Sequence, residues 1–219
     1  MTDRAPTSVH RIHIIGGPGS GKSVLAARVA SIIGVPVVHL DEVARLGGGI
    51  GPERPIEDRM QAVRGILDKP GWVTEGVHLG WTDDLLKAAE IVVWLDYLDW
   101  RDAAQRIVKR FVAGALEEMH RQRGLRKLIR FRDYLRQFRG LLRAIPETRR
   151  YYETPLGRAP DAVGWEPTRA LTATGLLAGD PKLVHCREAN DLRQFIRHLE
   201  RSVALSSPID APGHDRSSC

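Results

Sequence analysis

Gly16-Gly17-Pro18-Gly19-Ser20-Gly21-Lys22-Ser23 is the stretch on which the fold of this 219-residue chain turns. It follows the short apolar run Arg11–Ile15 (RIHII), which reads as a buried strand. It precedes Ser23–Ile33, where Leu25, Val29 and Ile32 recur at spacings of four and three and predict a helix ending at Gly34. Strand, glycine loop, helix is the context that the pattern G-x-x-x-x-G-K-[ST] requires. Glycines let the backbone curl so that successive N–H groups face one anion. The helix start adds the positive end of its dipole. Lys22 supplies a point charge for terminal phosphates, and Ser23 a hydroxyl for Mg²⁺. Val24, next in the helix, is counted with the loop. The G-x-G-x-x-G spacing of a dinucleotide fold is not present in this loop.

Working outward, Val35–Leu40 (VPVVHL), Gly71–Glu75 (GWVTE), Ile91–Leu95 (IVVWL) and Lys182–Cys186 (KLVHC) read as four further strands. The fourth run in chain order, IVVWL, is apolar on both faces, as in a parallel sheet covered by helices. Helices are predicted over Ile56–Leu67, over Thr82–Ala89 with a threonine cap, and over Glu188–Leu199. Two long helices lie between, about Trp100–His120 and about Leu125–Ile145, the second ended or kinked at Pro146. Gly47–Pro55 reads as a loop, and Tyr151–Gly179 as irregular. Alternating strands and helices give an α/β fold with a five-stranded, mostly parallel sheet. Residues 1–10 are expected to be a flexible leader, 11–200 the domain with a helical lid at about 100–150, and 201–219 a disordered tail.

With 42% apolar and 27% charged residues, the composition is globular and excludes disorder of the whole chain. No apolar run reaches the roughly 18 residues of a membrane span. The N-terminus has no secretory apolar core. Two cysteines, Cys186 and Cys219, cannot make a disulfide framework, and a reducing cytoplasm fits them. The net charge of +6 is concentrated. Residues 101–150 hold 15 Lys and Arg against 5 Asp and Glu, a net of +10 in a chain that is otherwise slightly acidic. Such a segment attracts phosphates, on a nucleotide, a nucleic acid or a membrane surface.

In open parallel sheets, ligands bind at the carboxyl ends of strands. Asp41 closes the second strand, Glu75 the third and Asp96 the fourth. Asp41 and Glu75 are the natural pair for an acceptor hydroxyl and for Mg²⁺. Helix capping competes for Asp41, and a solvated loop position for Glu75. Asp96 and Asp99 compete to cap the long helix that follows. Arg106 and Arg110, one turn apart, sit where a lid delivers positive charge to a transferring phosphoryl group, although a wet basic face explains single arginines equally. Arg132, Arg136, Arg139 and Arg143 form a second stripe, for which a solvated face competes with nucleic acid. His39 reads as a packed strand histidine.

The stretches RIHIIGGPGSGKSVLAARVA, VPVVHLDEV, GWVTEGVH and AEIVVWLDYLDWRDAAQRIVKR resemble the small P-loop kinase-like proteins known as topology modulation proteins. These are similar to adenylate kinase and the wider nucleoside monophosphate kinase fold. The resemblance spans about residues 11–112 and resumes weakly at LVHCREANDLRQFIRHL. It implies a P-loop NTPase fold with a lid, ATP and Mg²⁺ as cofactors, and phosphates held by Gly16–Ser23. It implies that Asp41 faces the acceptor, that Glu75 is the Mg²⁺-linked acid, that Arg106 and Arg110 lie in the lid, and that Arg187 and Glu188 border the base. Two departures stand out. Glu42–Gly51 is glycine-rich where relatives carry aromatic residues, and Glu75 stands where they usually have Asp. The implied activity is transfer of the ATP γ-phosphoryl group to a small acceptor, a nucleotide or another metabolite. The alternative is an ATP-binding regulator whose basic helices meet nucleic acid or a protein partner.

Overall fold

The computed structural model describes residues 9–47, 51–78, 80–121, 138, 142, 145–154, 168–169, 172–173 and 180–206. Five strands form one sheet: β1 (Arg11–Gly16), β2 (Val37–His39), β3 (Trp72–Glu75), β4 (Ile91–Leu95) and β5 (Leu183–Cys186). Their order is β2-β3-β1-β4-β5, and every pairing is parallel. The helices described over their full length are α1 (Lys22–Ile33), α2 (Leu40–Ala44), α3 (Ile56–Leu67), α4 (Asp83–Ala88), α5 (Trp100–Arg121) and α6 (Ala189–Ser206). With β1 central, the chain runs to one edge and then crosses to the other. The carboxyl ends of β1, β3 and β4 therefore border the point where strand order reverses, the usual ligand position in such sheets.

The period-two alternation of each strand sorts its side chains onto two faces. Ile12, Ile14, Val73, Val93 and Leu95 pack with Leu25 and Val29 of α1 and with Phe195, Ile196 and Leu199 of α6. Ile15, Trp72, Val92 and Trp94 pack on the other face with Leu40, Val63, Ile66 and Leu85 from α2, α3 and α4. Each such side chain, fully buried, contributes on the order of 1.5–3 kcal/mol. The same alternation puts Glu75 on the α1 face and His13 and Thr74 on the other.

Several elements differ from expectation. β2 is confined to Val37–His39, because Leu40 (0% exposed) already begins α2 and anchors it in the core. Asp41 therefore lies in the first turn of α2, not at a strand end, and the capping position is His39. Thr82 does precede α4, but its hydroxyl donates to the His78 carbonyl instead of capping the helix. Asp99, not Asp96, caps α5: the Asp102 amide donates to Asp99 Oδ1 at 2.8 Å. Residues 145–153 are helical, so Tyr151 is not in irregular chain, while the residues just before them, on which the expected end or kink at Pro146 turns, lie outside the described residues. Tyr151 (5% exposed) and Thr148 (0% exposed) are buried, which fixes this stretch by packing. α6 continues to Ser206, taking in residues 201–206 of the expected tail. The leader to residue 8, nearly all of the expected helix Leu125–Ile145 and the stripe Arg132, Arg136, Arg139, Arg143 lie outside the described residues, as do residues 207–219. Among the described residues, no helix is long and apolar enough to cross a membrane.

Candidate functional site

The loop leaves β1 through Gly16 and enters α1 through Gly21, which takes the left-handed conformation at φ 97°. Gly19 is also left-handed, at φ 75°, and a Cβ there would lie 2.6 Å from the Ala103 carbonyl oxygen. Only glycine suits both demands. A Cβ on Gly17 would run into the rings of Tyr151 and Tyr152. The turn is closed by the Ser20 amide donating to Gly17 O at 3.2 Å. Two phenols fasten it from outside: Tyr97 donates to Ser20 O at 2.9 Å, and Tyr152 to Pro18 O at 3.2 Å. Burial pushes the Tyr151 phenol up to about 12, so it stays protonated.

α1 begins without a side-chain cap and without an acidic residue in its first turn. Its first amides therefore have no partner within the helix, and no carboxylate of the helix itself competes for the dipole. Lys22 is half-buried, and its Nζ donates to Gly17 O at 3.1 Å. Desolvation holds the Lys22 ammonium below its usual range; Glu75 and Asp41 oppose that shift, and Arg110 reinforces it. Charges on β3, α2 and α5 thus lie within electrostatic reach of Lys22. Val24 points outward at 78% exposure.

Ser23 Oγ donates to Glu75 Oε1 at 3.0 Å, joining the two residues expected to serve Mg²⁺. His39 Nδ1 is 2.7 Å from the same oxygen, so this strand histidine is a site neighbour. Glu75 is 5% exposed. A hydroxyl and a carboxylate are hard oxygen donors of the kind that Mg²⁺ takes, and the uncapped helix start with Lys22 suits phosphates. Among the described residues, no group of three or more His, Cys, Asp or Glu is arranged for a metal ion.

Asp41 Oδ1 lies 2.9 Å from His78 Nε2. That hydrogen bond is the main reason its carboxyl sits below the usual range, with Lys22 and Arg45 adding to it. Since an ionised carboxylate cannot donate, Nε2 carries the proton. Arg106 is exposed, and its guanidinium lies over the Tyr97 ring at 5.7 Å. Arg187 stands apart, beyond β5: its amide donates to Asp191 Oδ2 at 2.8 Å, and its Nε to His185 Nδ1 at 3.3 Å. The roles of Tyr97, His78 and Tyr152 carry no sequence signal, because each contact joins segments far apart in the chain.

No protein-family model matches the chain, and no curated protein matches its sequence. Solved structures are similar to it at low identity. A gluconokinase from Sinorhizobium meliloti 1021 is 16% identical over 90% of this chain and 93% of that one, with a TM-score of 0.44. A sugar kinase from Janibacter sp. HTCC2649 is 14% identical over 91% and 99%, with a TM-score of 0.43. A shikimate kinase from Acinetobacter baumannii, in complex with shikimate, is 19% identical over 63% and 80%, with a TM-score of 0.36.

Proposed function

We propose that the chain is an ATP-dependent phosphotransferase of the nucleotide-kinase type, acting on a small acceptor, a nucleotide or another metabolite. The observation that supports this most is the glycine loop that leads into an uncapped α1, with Lys22 folded back over it and the Ser23 hydroxyl donating to Glu75. ATP would supply the phosphoryl group, and Mg²⁺ would offset charge on its terminal phosphates. Gly16, Gly17, Pro18, Gly19, Ser20, Gly21 and Lys22 would cradle the phosphates through backbone amides and the ammonium, with Val24 behind them. Ser23 and Glu75 would hold Mg²⁺. Asp41, kept ionised by His78, orients or deprotonates the acceptor hydroxyl. Arg106 and Arg110 steady negative charge spread over the transferring oxygens, as part of a lid on about residues 100–150. Arg187 borders the nucleoside. This reading keeps the chain with the topology modulation type of P-loop kinase-like protein. It also suits a cytoplasmic setting, where ATP is abundant and the buried Cys186 thiol stays reduced.

The test is a thermal-shift comparison of wild type and Lys22→Ala with ATP, GTP and their Mg²⁺ complexes, alone and with a panel of nucleotides and metabolites. A nucleotide at 100 times its Kd adds about 2.7 kcal/mol, on the order of 5–10 °C in Tm for a chain of this size. Wild type is expected to shift and Lys22→Ala to shift far less. A second ligand that adds to the shift, and is phosphorylated in a coupled assay, is the acceptor. If no nucleotide shifts wild type, the proposal fails.

A further inference from the structure

Asp96 directly follows β4, whose last residue Leu95 pairs with Gly16 at the start of the phosphate loop, yet it does not cap α5. It is 9% exposed and wholly engaged. Its amide donates to Cys186 O at 2.9 Å, which fastens the end of β4 to the end of β5. Arg169 Nε donates to Oδ1 at 2.6 Å, and His185 Nε2 to Oδ2 at 2.9 Å. The His185 ring stacks on Trp94 at 4.2 Å, with 9° between the planes. A carboxylate accepting at Nε2 leaves Nδ1 as the unprotonated nitrogen, and Nδ1 is what accepts Arg187 Nε. Donors and acceptors thus alternate from Asp96 through His185 to Arg187 in a single consistent direction.

The far end of this chain of bonds is an exposed guanidinium at the carboxyl end of the sheet. β5 lies two strands from β1, roughly 10 Å at the usual strand spacing. That is about the reach of a nucleoside whose phosphates lie on the β1 loop. A long arginine side chain loses much rotamer freedom when it must adopt one pose, so fixing it beforehand favours binding. We propose that Asp96 and His185 are positioning residues that hold Arg187 oriented toward the nucleoside half of a nucleotide bound at Gly16–Ser23. Arg187 makes the contact; His185 sets its pose, and Asp96 sets the tautomer and tilt of His185. This inference rests on the phosphate-loop reading above and adds the device that orients its nucleoside side.

The experiment compares ATP with inorganic tripolyphosphate, a probe that has the phosphates and no nucleoside, by calorimetric titration at pH 8 with Mg²⁺. His185→Phe keeps an aromatic ring to stack on Trp94 and removes both hydrogen bonds. It is expected to weaken ATP roughly tenfold, the loss of one charged hydrogen bond, and to leave tripolyphosphate unchanged. Arg187→Met is expected to do the same, and the double variant no more than either alone. Equal weakening of both probes, no change in either, or additive losses overturn the relay. In wild type, ring-nitrogen NMR is expected to report the Nε2–H tautomer of His185; the Nδ1–H tautomer overturns the proposal even if a variant does not fold. A wild type that binds neither probe refutes the phosphate loop itself, while one that binds tripolyphosphate and ATP equally leaves the loop standing and refutes the relay.

Discussion

His13 lies in the central strand at 1% exposure, its Nδ1 2.6 Å from Thr74 Oγ1. Burial, with the nearby His78 charge in second place, drops its pKa from 6.5 to about 3. A histidine depressed in the folded state takes up its proton only on unfolding. Its contribution is therefore intact above about pH 6.5 and is lost as pH falls toward about 3. At about 1.4 kcal/mol per pH unit, the loss reaches roughly 3 kcal/mol at pH 4. Urea melts at pH 7, 5.5 and 4 are expected to show that decline in wild type and a much flatter one in His13→Met. Parallel curves would place the acid sensitivity elsewhere. Nothing in the sequence singled out His13: it is one of eight scattered histidines. Only pairing β1 with β3, which sets it against Thr74, reveals a neutral buried imidazole. Lys22 and Ser23 were legible because their chemistry is written in eight contiguous residues.

At the scale of elements, what was legible follows length and apolar periodicity. β1, β3, β4, α1, α3 and α5 carry runs long enough to read. α2 has only five residues, two of them the acids Asp41 and Glu42, and so was read as the end of a strand. The last turns of α6 were lost because Arg201, Ser202 and Ser206 look like tail, although the helix continues through them. Asp96 and Asp99 could not be told apart as caps, since each is an acid shortly before the same helix. The fold separates them: Asp96 is turned to β5, which leaves Asp99 free to accept the Asp102 amide. Asp99→Ala is expected to cost about 1 kcal/mol, the usual worth of an N-cap, and to lower Tm by about 2–4 °C. Asp99→Ser keeps an acceptor and should recover most of it. A melting curve for Asp99→Ala that overlays wild type would remove this cap from the account of α5.

For the molecule as a whole, one sheet serves two apolar layers. α1 and α6 cover one face, and α2, α3 and α4 the other. Neither layer has a strand of its own: Ile14 and Ile15 are adjacent in β1 and belong to opposite layers. Opening one layer exposes the strands that support the other, so both are expected to unfold in a single step. The site depends on this shared support, because the phosphate loop and Ser23 join β1 to α1 on one side while Asp41 rides on α2 at the other. Leu199 in α6 is 2% exposed and lies on the layer away from Trp72, Trp81 and Trp94. Leu199→Ala is expected to destabilise by about 2–5 kcal/mol through lost contacts and residual cavity. Tryptophan fluorescence and far-UV circular dichroism should move to the same lower urea midpoint in that variant. If circular dichroism moves while fluorescence stays at the wild-type midpoint, the two layers unfold separately, and loss of α6 would leave the Asp41 side of the site standing without its phosphate loop.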